Sequence, residues 1–405
     1  MIYLVYPVLL IVLLFGSHLY GKGEWNEDAF SLGQMKALQG FITLLIMLHH
    51  IGQKTCASWL DKRYYVPGLE FFVPIGFILV SFFTFCSGYG LYKSFKMKKD
   101  YLSGRFIVHR ILPIIITGYV SAMIFLLVRF LLGHKISSDQ LLYYVSGAKL
   151  CNPYSWYVIV IPFFYLAFFL AFKFIKNEKL ALSAVLLFTV AYQILGASID
   201  HNDWWMRGEW WYNSIHLFVV GIFFAMHEEK ITAHLKKHFL IYFAATLILI
   251  PVFYGYSEFA KGVFSYYGEN FGASDKVFRR IMCLIGEILI SSDVVFCSFL
   301  LGMKLKIGNR FLKLMGKITL EFYLIHGLFV ELFAHHFDDK YKSLYYMKNN
   351  VLMVVTVFVL GLVSALLMKG CGDLLKKMFA GKKLPKRSKT AAGQMNQNAV
   401  PGSKI

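Results

Sequence analysis

The sequence predicts an all-α fold, a polytopic transmembrane helical bundle of about 11 spans. Three observations predict it. Of 405 residues, 58% are hydrophobic and the mean hydropathy is +0.57, against about 45–50% apolar residues in soluble domains. The apolar residues fall in runs of about 18–22, the length that crosses a hydrocarbon core as a helix. The alternating segments of about ten residues that build a membrane barrel are absent.

The spans are expected at 2–19, 37–52, 70–92, 111–132, 155–173, 180–197, 213–227, 239–256, 283–303, 318–335 and 350–369. The first has no basic stretch before it and no small-residue cleavage site, so it reads as a retained span and not a signal peptide. Orientation follows from the basic residues. With the N-terminus outside, the inner segments hold 28 Lys and Arg and the outer ones 13, and cytoplasmic loops are the ones that carry the excess. The expected location is therefore the cell membrane, multi-pass, with the N-terminus outside and the C-terminus in the cytoplasm. The chain divides into an N-terminal helix with its inner loop (1–35), a membrane domain (36–378) and a basic cytoplasmic tail (379–405) expected to be disordered beyond Gly381.

The net charge of +19 does not imply a nucleic-acid partner, because the cations sit in short loops between spans. The partner implied by composition is membrane lipid. The six cysteines are scattered without a CxxC pair, so neither a metal site nor a disulfide framework is expected. Cys56 and Cys151 both fall on outer loops, where a bridge between them is one option. There is no internal repeat, which weakens a transporter built from inverted repeats.

Five stretches carry polar groups where apolar ones are expected. The first is Lys36 to His50, an apolar helix ending in His49 and His50. At about 100° per residue, Gln39 and His50 return to nearly one face, roughly 16 Å apart along the axis. An ionisable side chain on a membrane helix is costly unless it faces the protein interior. The competing reading puts both histidines in the headgroup layer. The second stretch, Phe82 to Lys93, contains Ser87 and Gly88, small residues that either pack helices closely or thin the wall beside a ligand. It leads into a basic loop holding Arg105 and Arg110, whose guanidinium forks suit phosphate oxygens; the competing reading is orientation charge alone.

The third stretch is Leu320 to Leu328, in which Tyr323 and His326 share a helix face. A histidine there is equally read as an interhelical hydrogen bond. The fourth, Pro153 to Tyr157, opens a span and contains Trp156. The fifth is the outer loop 200–212 with Trp204, Trp205, Trp210 and Trp211 among acids. Aromatic faces beside carboxylates suit sugar rings, and an interfacial aromatic belt is the competing reading.

Taken together, these stretches resemble the integral-membrane acyltransferase 3 family, multi-span enzymes that O-acylate cell-surface and exported glycans. Leu38-Gln-Gly-Phe-Ile with Leu-His-His50 is similar to the family's opening helix, in which Arg or Lys precedes His by eleven residues. Phe83 with Ser87-Gly88 resembles its Phe-x-x-x-Ser-Gly segment, Arg105 with Arg110-Ile-Leu-Pro113 its Arg-Ile-x-Pro lead into the next span, and Tyr323-Leu-Ile-His326 its late helix. Together the four cover residues 36–335, in the family's order. The arginine position of the first motif is Gln39 here, with Lys36 three residues earlier as the nearest charge. Against a ten-helix core, the span 2–19 is one extra.

The resemblance implies a membrane O-acyltransferase, with O-acetylation expected. Acyl-CoA, in particular acetyl-CoA, would be a co-substrate, with no cofactor bound permanently. Lys36, Gln39, Ser87, Arg105 and Arg110 would hold the donor. His50 would act as general base or nucleophile, which requires the neutral imidazole that an ordinary histidine pKa near 6.5 allows. Trp156, Trp204, Trp205, Trp210, Trp211, Tyr323 and His326 would meet the glycan acceptor. The alternatives are a glycan or lipid transporter and a multi-span glycan polymerase.

Overall fold

The computed structural model describes residues 2–199, 206, 208–264, 273–335 and 343–380. It is a helical bundle. In chain order the helices are α1 (Val5–Leu14), α2 (Leu32–Thr55), α3 (Gly76–Met97), α4 (Leu112–Leu131), α5 (Ser138–Ser146), α6 (Trp156–Phe174), α7 (Glu178–Ser198), α8 (His216–Lys237), α9 (Phe239–Val263), α10 (Lys276–Lys304), α11 (Arg310–Lys317), α12 (Thr319–Phe333) and α13 (Asn350–Ala380). The described strands are two short ones, β1 (His18–Leu19) paired antiparallel with β2 (Leu305–Lys306).

Seven helical segments are long and apolar enough to cross a membrane: α2, α4 with the turn before it, α6, α7, α9, α10 and α13. Eleven full spans were expected. The first expected span, 2–19, contains only the ten-residue helix α1. It stops because Phe15 is extended and Gly16 takes φ +68°, after which the chain turns into β1. The expected span 318–335 is the 15-residue α12. It is buried along most of its length and packs inside the bundle.

Local sequence sets the helix ends. Ser31 caps α2 by accepting from the Gln34 amide, Asn177 caps α7, and Asn309 caps α11, each satisfying an amide that the helix leaves unpaired. A capping box, Ser137 with Gln140, starts α5, and Gly147 in the left-handed region ends it. Ahead of Pro113, residues Ile107–Ile111 form a π-helical turn that leads into α4.

Close helix contacts are built on glycine. A Cβ on Gly88 of α3 would lie 1.9 Å from the Phe218 carbonyl oxygen of α8, and one on Gly221 of α8 would lie 2.3 Å from the Phe85 carbonyl oxygen of α3. The two backbones therefore touch, as small residues permit in membrane bundles. Around this contact lies an aromatic core containing Phe85, Phe164, Phe168 and Phe218, all essentially inaccessible. The periphery is apolar instead: only 6% of the apolar window of α9 is buried inside the protein, a surface suited to hydrocarbon and not to water.

Cys56 and Cys151 are free, buried thiols, so the bridge considered above is not formed. The expectation of disorder beyond Gly381 lies outside the described residues.

Candidate active site

Helices α2, α3, α6 and α12 surround a cavity of about 960 Å³. At one end its wall carries Lys93, Lys98 and Arg110 together with Glu27, Asp28 and Glu228; the acids pair with Lys236, Lys306 and Lys93, which leaves Lys98 and Arg110 without an ion pair among the described residues, and this is the basic end. From there the wall runs past Lys36, Gln39, Cys86, Ser87 and Tyr165 to Ile46, Tyr157 and Tyr323. His50 follows Ile46 by one helical turn and lies just beyond this far end, while His326 follows Tyr323 by three residues.

The helix geometry separates the two adjacent histidines. The Nδ1 atom of His49 lies 2.8 Å from the Phe72 carbonyl oxygen, and its ring packs on Gly76, where a Cβ would come within 2.3 Å of Nε2. It is turned toward the start of α3. His50 turns to α12 instead. Its Nδ1 lies 2.8 Å from His326 Nε2, with the two ring planes nearly parallel at 11°. The Tyr154 ring packs against His50 with centroids 4.4 Å apart.

Hydrogen-bond chemistry fixes which nitrogen of His50 is free. His326 Nδ1 lies 2.8 Å from the Phe322 carbonyl oxygen, and a carbonyl only accepts, so Nδ1 carries the hydrogen. In the neutral ring the lone pair of His326 is then on Nε2. His50 Nδ1 must donate to it, which leaves His50 Nε2 with its lone pair outward. That is the tautomer a general base needs, oriented by a second imidazole and a main-chain carbonyl.

A polar group caps the far side of the pair. Tyr154 donates to Glu331 at 2.6 Å, and Lys54, one turn after His50, lies 3.2 Å from the same carboxylate oxygen. Glu331 retains 16% of its side-chain surface and Lys54 31%, so solvent reaches this group, while below it His50 is half-buried and His326 fully buried. The cavity and the polar cap approach the His50–His326 pair from opposite ends of the bundle.

Of the residues singled out in the sequence, Lys36, Gln39, Ser87, Arg110 and Tyr323 line the one cavity. Lys36 is accessible to solvent and makes no hydrogen bond or ion pair among the described residues, so its ammonium stands in the cavity unpaired. Ser87 faces the cavity and lies 3.3 Å from the Tyr157 hydroxyl, whereas its neighbour Gly88 serves the contact with α8. Arg110 lies over the Tyr101 ring at 5.3 Å; Arg105 is exposed and is not part of the wall.

Trp156, Trp210 and Trp211 do not line the cavity. Trp156 is buried in the aromatic core. Trp211 is 2% exposed and donates to the Met206 carbonyl at 2.9 Å, and Trp210 packs beside it on that core. Trp204 and Trp205 lie outside the described residues. Sequence reasoning assigned no role to Tyr154, Tyr157, Cys86 or Glu331. The Pro153 to Tyr157 stretch held two of them, but nothing in its spacing pointed to His50.

The sequence profile of the acyltransferase domain family matches residues 32–369 of this chain. The chain belongs to the acyltransferase 3 family. It is a membrane acyltransferase, a transferase of groups other than aminoacyl groups. The matched region spans α2 through most of α13 and so includes His50, His326 and the helices that surround the cavity, while α1 and the cavity residues Glu27 and Asp28 lie ahead of it. No curated protein and no solved structure matches the chain. Among the described residues, no group of three or more His, Cys, Asp or Glu could hold a metal ion.

Proposed function

We propose that this acyltransferase moves an acyl group, acetyl in the first instance, from cytoplasmic acyl-CoA to a hydroxyl of a cell-surface or exported glycan. One observation carries the reading: a cavity with a basic end leads to a histidine pair that is met from the other side by a solvent-reached polar cap. The charge bias assigns the basic end to the cytoplasm. There Arg110 and Lys98 suit the phosphates of a nucleotide thioester, and Lys36 offers a further unpaired cation, whereas Lys93 is paired with Glu228. Lys36 and His50 are 14 residues apart on α2, about 21 Å along the axis, a distance comparable to an extended phosphopantetheine arm. The thioester would then reach His50 with its phosphates still at the basic end.

His50 Nε2 takes the acceptor hydroxyl proton as the oxygen attacks the thioester carbonyl carbon. The C–S bond breaks, and the proton passes to the leaving sulfur. Feeding radiolabelled acetyl-CoA to membranes containing the protein tests the reading: label appears in carbohydrate if it is right. Carbohydrate that stays unlabelled, with the protein inserted and the donor intact, refutes it.

A further inference from the structure

Five tyrosines line the cavity: Tyr89, Tyr101, Tyr157, Tyr165 and Tyr323. Tyr89 donates to Glu228 at 2.9 Å, and Tyr157 lies against Ser87. Two are buried without a partner: Tyr101, at the basic end beneath Arg110, and Tyr323, at the far end. Tyr323 is 7% exposed, so its hydroxyl is withdrawn from bulk solvent without an internal hydrogen bond. An orphan of this kind is destabilising, and its persistence calls for a ligand. It sits three residues before His326, with ring centroids 6.4 Å apart, and its ring meets Tyr157 edge-on at 6.3 Å. Packing on Tyr157 fixes the ring, and Tyr323 lines the end of the cavity nearest the histidine pair.

We propose that the Tyr323 hydroxyl donates a hydrogen bond to the carbonyl oxygen of the acyl thioester and so stabilises the oxyanion. The assignment rests on the acyl-CoA reading above. When the acceptor oxygen bonds to the carbonyl carbon, the C=O electron pair moves onto oxygen, and Tyr323 O–H meets that charge without transferring its proton. When the C=O re-forms, the C–S bond breaks and the sulfur takes the proton that His50 removed from the acceptor. Negative charge develops only in the transition state, so a preoriented donor there acts on the chemical step more than on binding. Its neighbours at that end are engaged elsewhere: Tyr157 lies against Ser87, Tyr154 donates to Glu331, and the Nδ1–H groups of both histidines are taken up.

Tyr323→Phe in the full-length protein in membranes is the test. It should lower kcat by about 10²–10³-fold, as loss of one oxyanion donor does, with KM for acetyl-CoA changed less than about threefold. Phe keeps the ring, so insertion and melting temperature should stay as in wild type. A second readout is independent of turnover. The carbonyl stretch of a bound ketone analogue of acetyl-CoA, with a methylene in place of sulfur, should lie lower in wild type than in Tyr323→Phe. Unchanged kcat in the variant, or a carbonyl stretch identical in both proteins, overturns the assignment. Wild-type protein that moves no acetyl group from acetyl-CoA overturns the donor reading and this assignment with it, whereas an active wild type with an unimpaired variant overturns the assignment alone.

Discussion

His50 and His326, 276 residues apart in the chain, share a 2.8 Å hydrogen bond across α2 and α12. The bond sets the tautomer of His50 because His326 is itself locked to the Phe322 carbonyl. Proton acceptance at His50 Nε2 leaves an imidazolium whose charge the second ring and the carbonyl share.

Removing the base should be far worse than removing its partner. His50→Ala is expected to lower acyl transfer by about 10²–10⁴-fold, and His326→Ala by less, since Nε2 of His50 remains. Because the two act as a unit, the double variant should be no slower than His50→Ala alone. Initial rates of all three in membranes check this, and additive losses would refute the coupling.

The two arginines of the basic loop should differ. Arg110 stands in the cavity wall and Arg105 is exposed outside it. Arg110→Ala is expected to raise KM for acyl-CoA about tenfold to a hundredfold, the worth of a charge-assisted contact of about 1.5–3 kcal/mol. Arg105→Ala should change it less than about twofold. Donor titrations at saturating acceptor decide the matter.

Lys36 and Gln39 line one cavity, so a cation at either position should serve the same anion. Lys36→Ala is expected to weaken donor binding, and Lys36→Ala with Gln39→Arg to recover most of it. A double variant no better than Lys36→Ala would show that the place of the charge matters as much as its presence.

Ser87 and Gly88 are neighbours with different duties. Gly88→Ala forces a Cβ to 1.9 Å from the Phe218 carbonyl oxygen, and overpacking of this kind costs about 1–3 kcal/mol or more. Yield of folded protein and melting temperature should both fall. Ser87→Ala leaves the α3–α8 contact intact and should retain wild-type melting behaviour, with any defect confined to donor kinetics.

Composition and run length were enough to determine a helical membrane protein, because burying apolar runs in lipid requires every backbone polar group to be satisfied within a helix. The spacing on α2 likewise put Gln39 and His50 on one face and His49 on another, since helix angles are fixed by local hydrogen bonds. The order of four short motifs determined the family. What the sequence left open depends on contacts between helices distant in the chain. No periodicity connects His50 with His326, so a histidine that read equally well as an interhelical hydrogen bond became, through α2 against α12, the partner of the base. Arg105 and Arg110 carry the same charge in the same loop, and only the π-helical turn at Ile107–Ile111 with the packing after it decides which one the cavity receives. Trp211 reads as a solvent-side aromatic until it packs on Tyr192 of α7, for amphipathic rings suit an interface and a core equally. Local rules gave each helix its face; tertiary packing chose which polar groups on those faces meet.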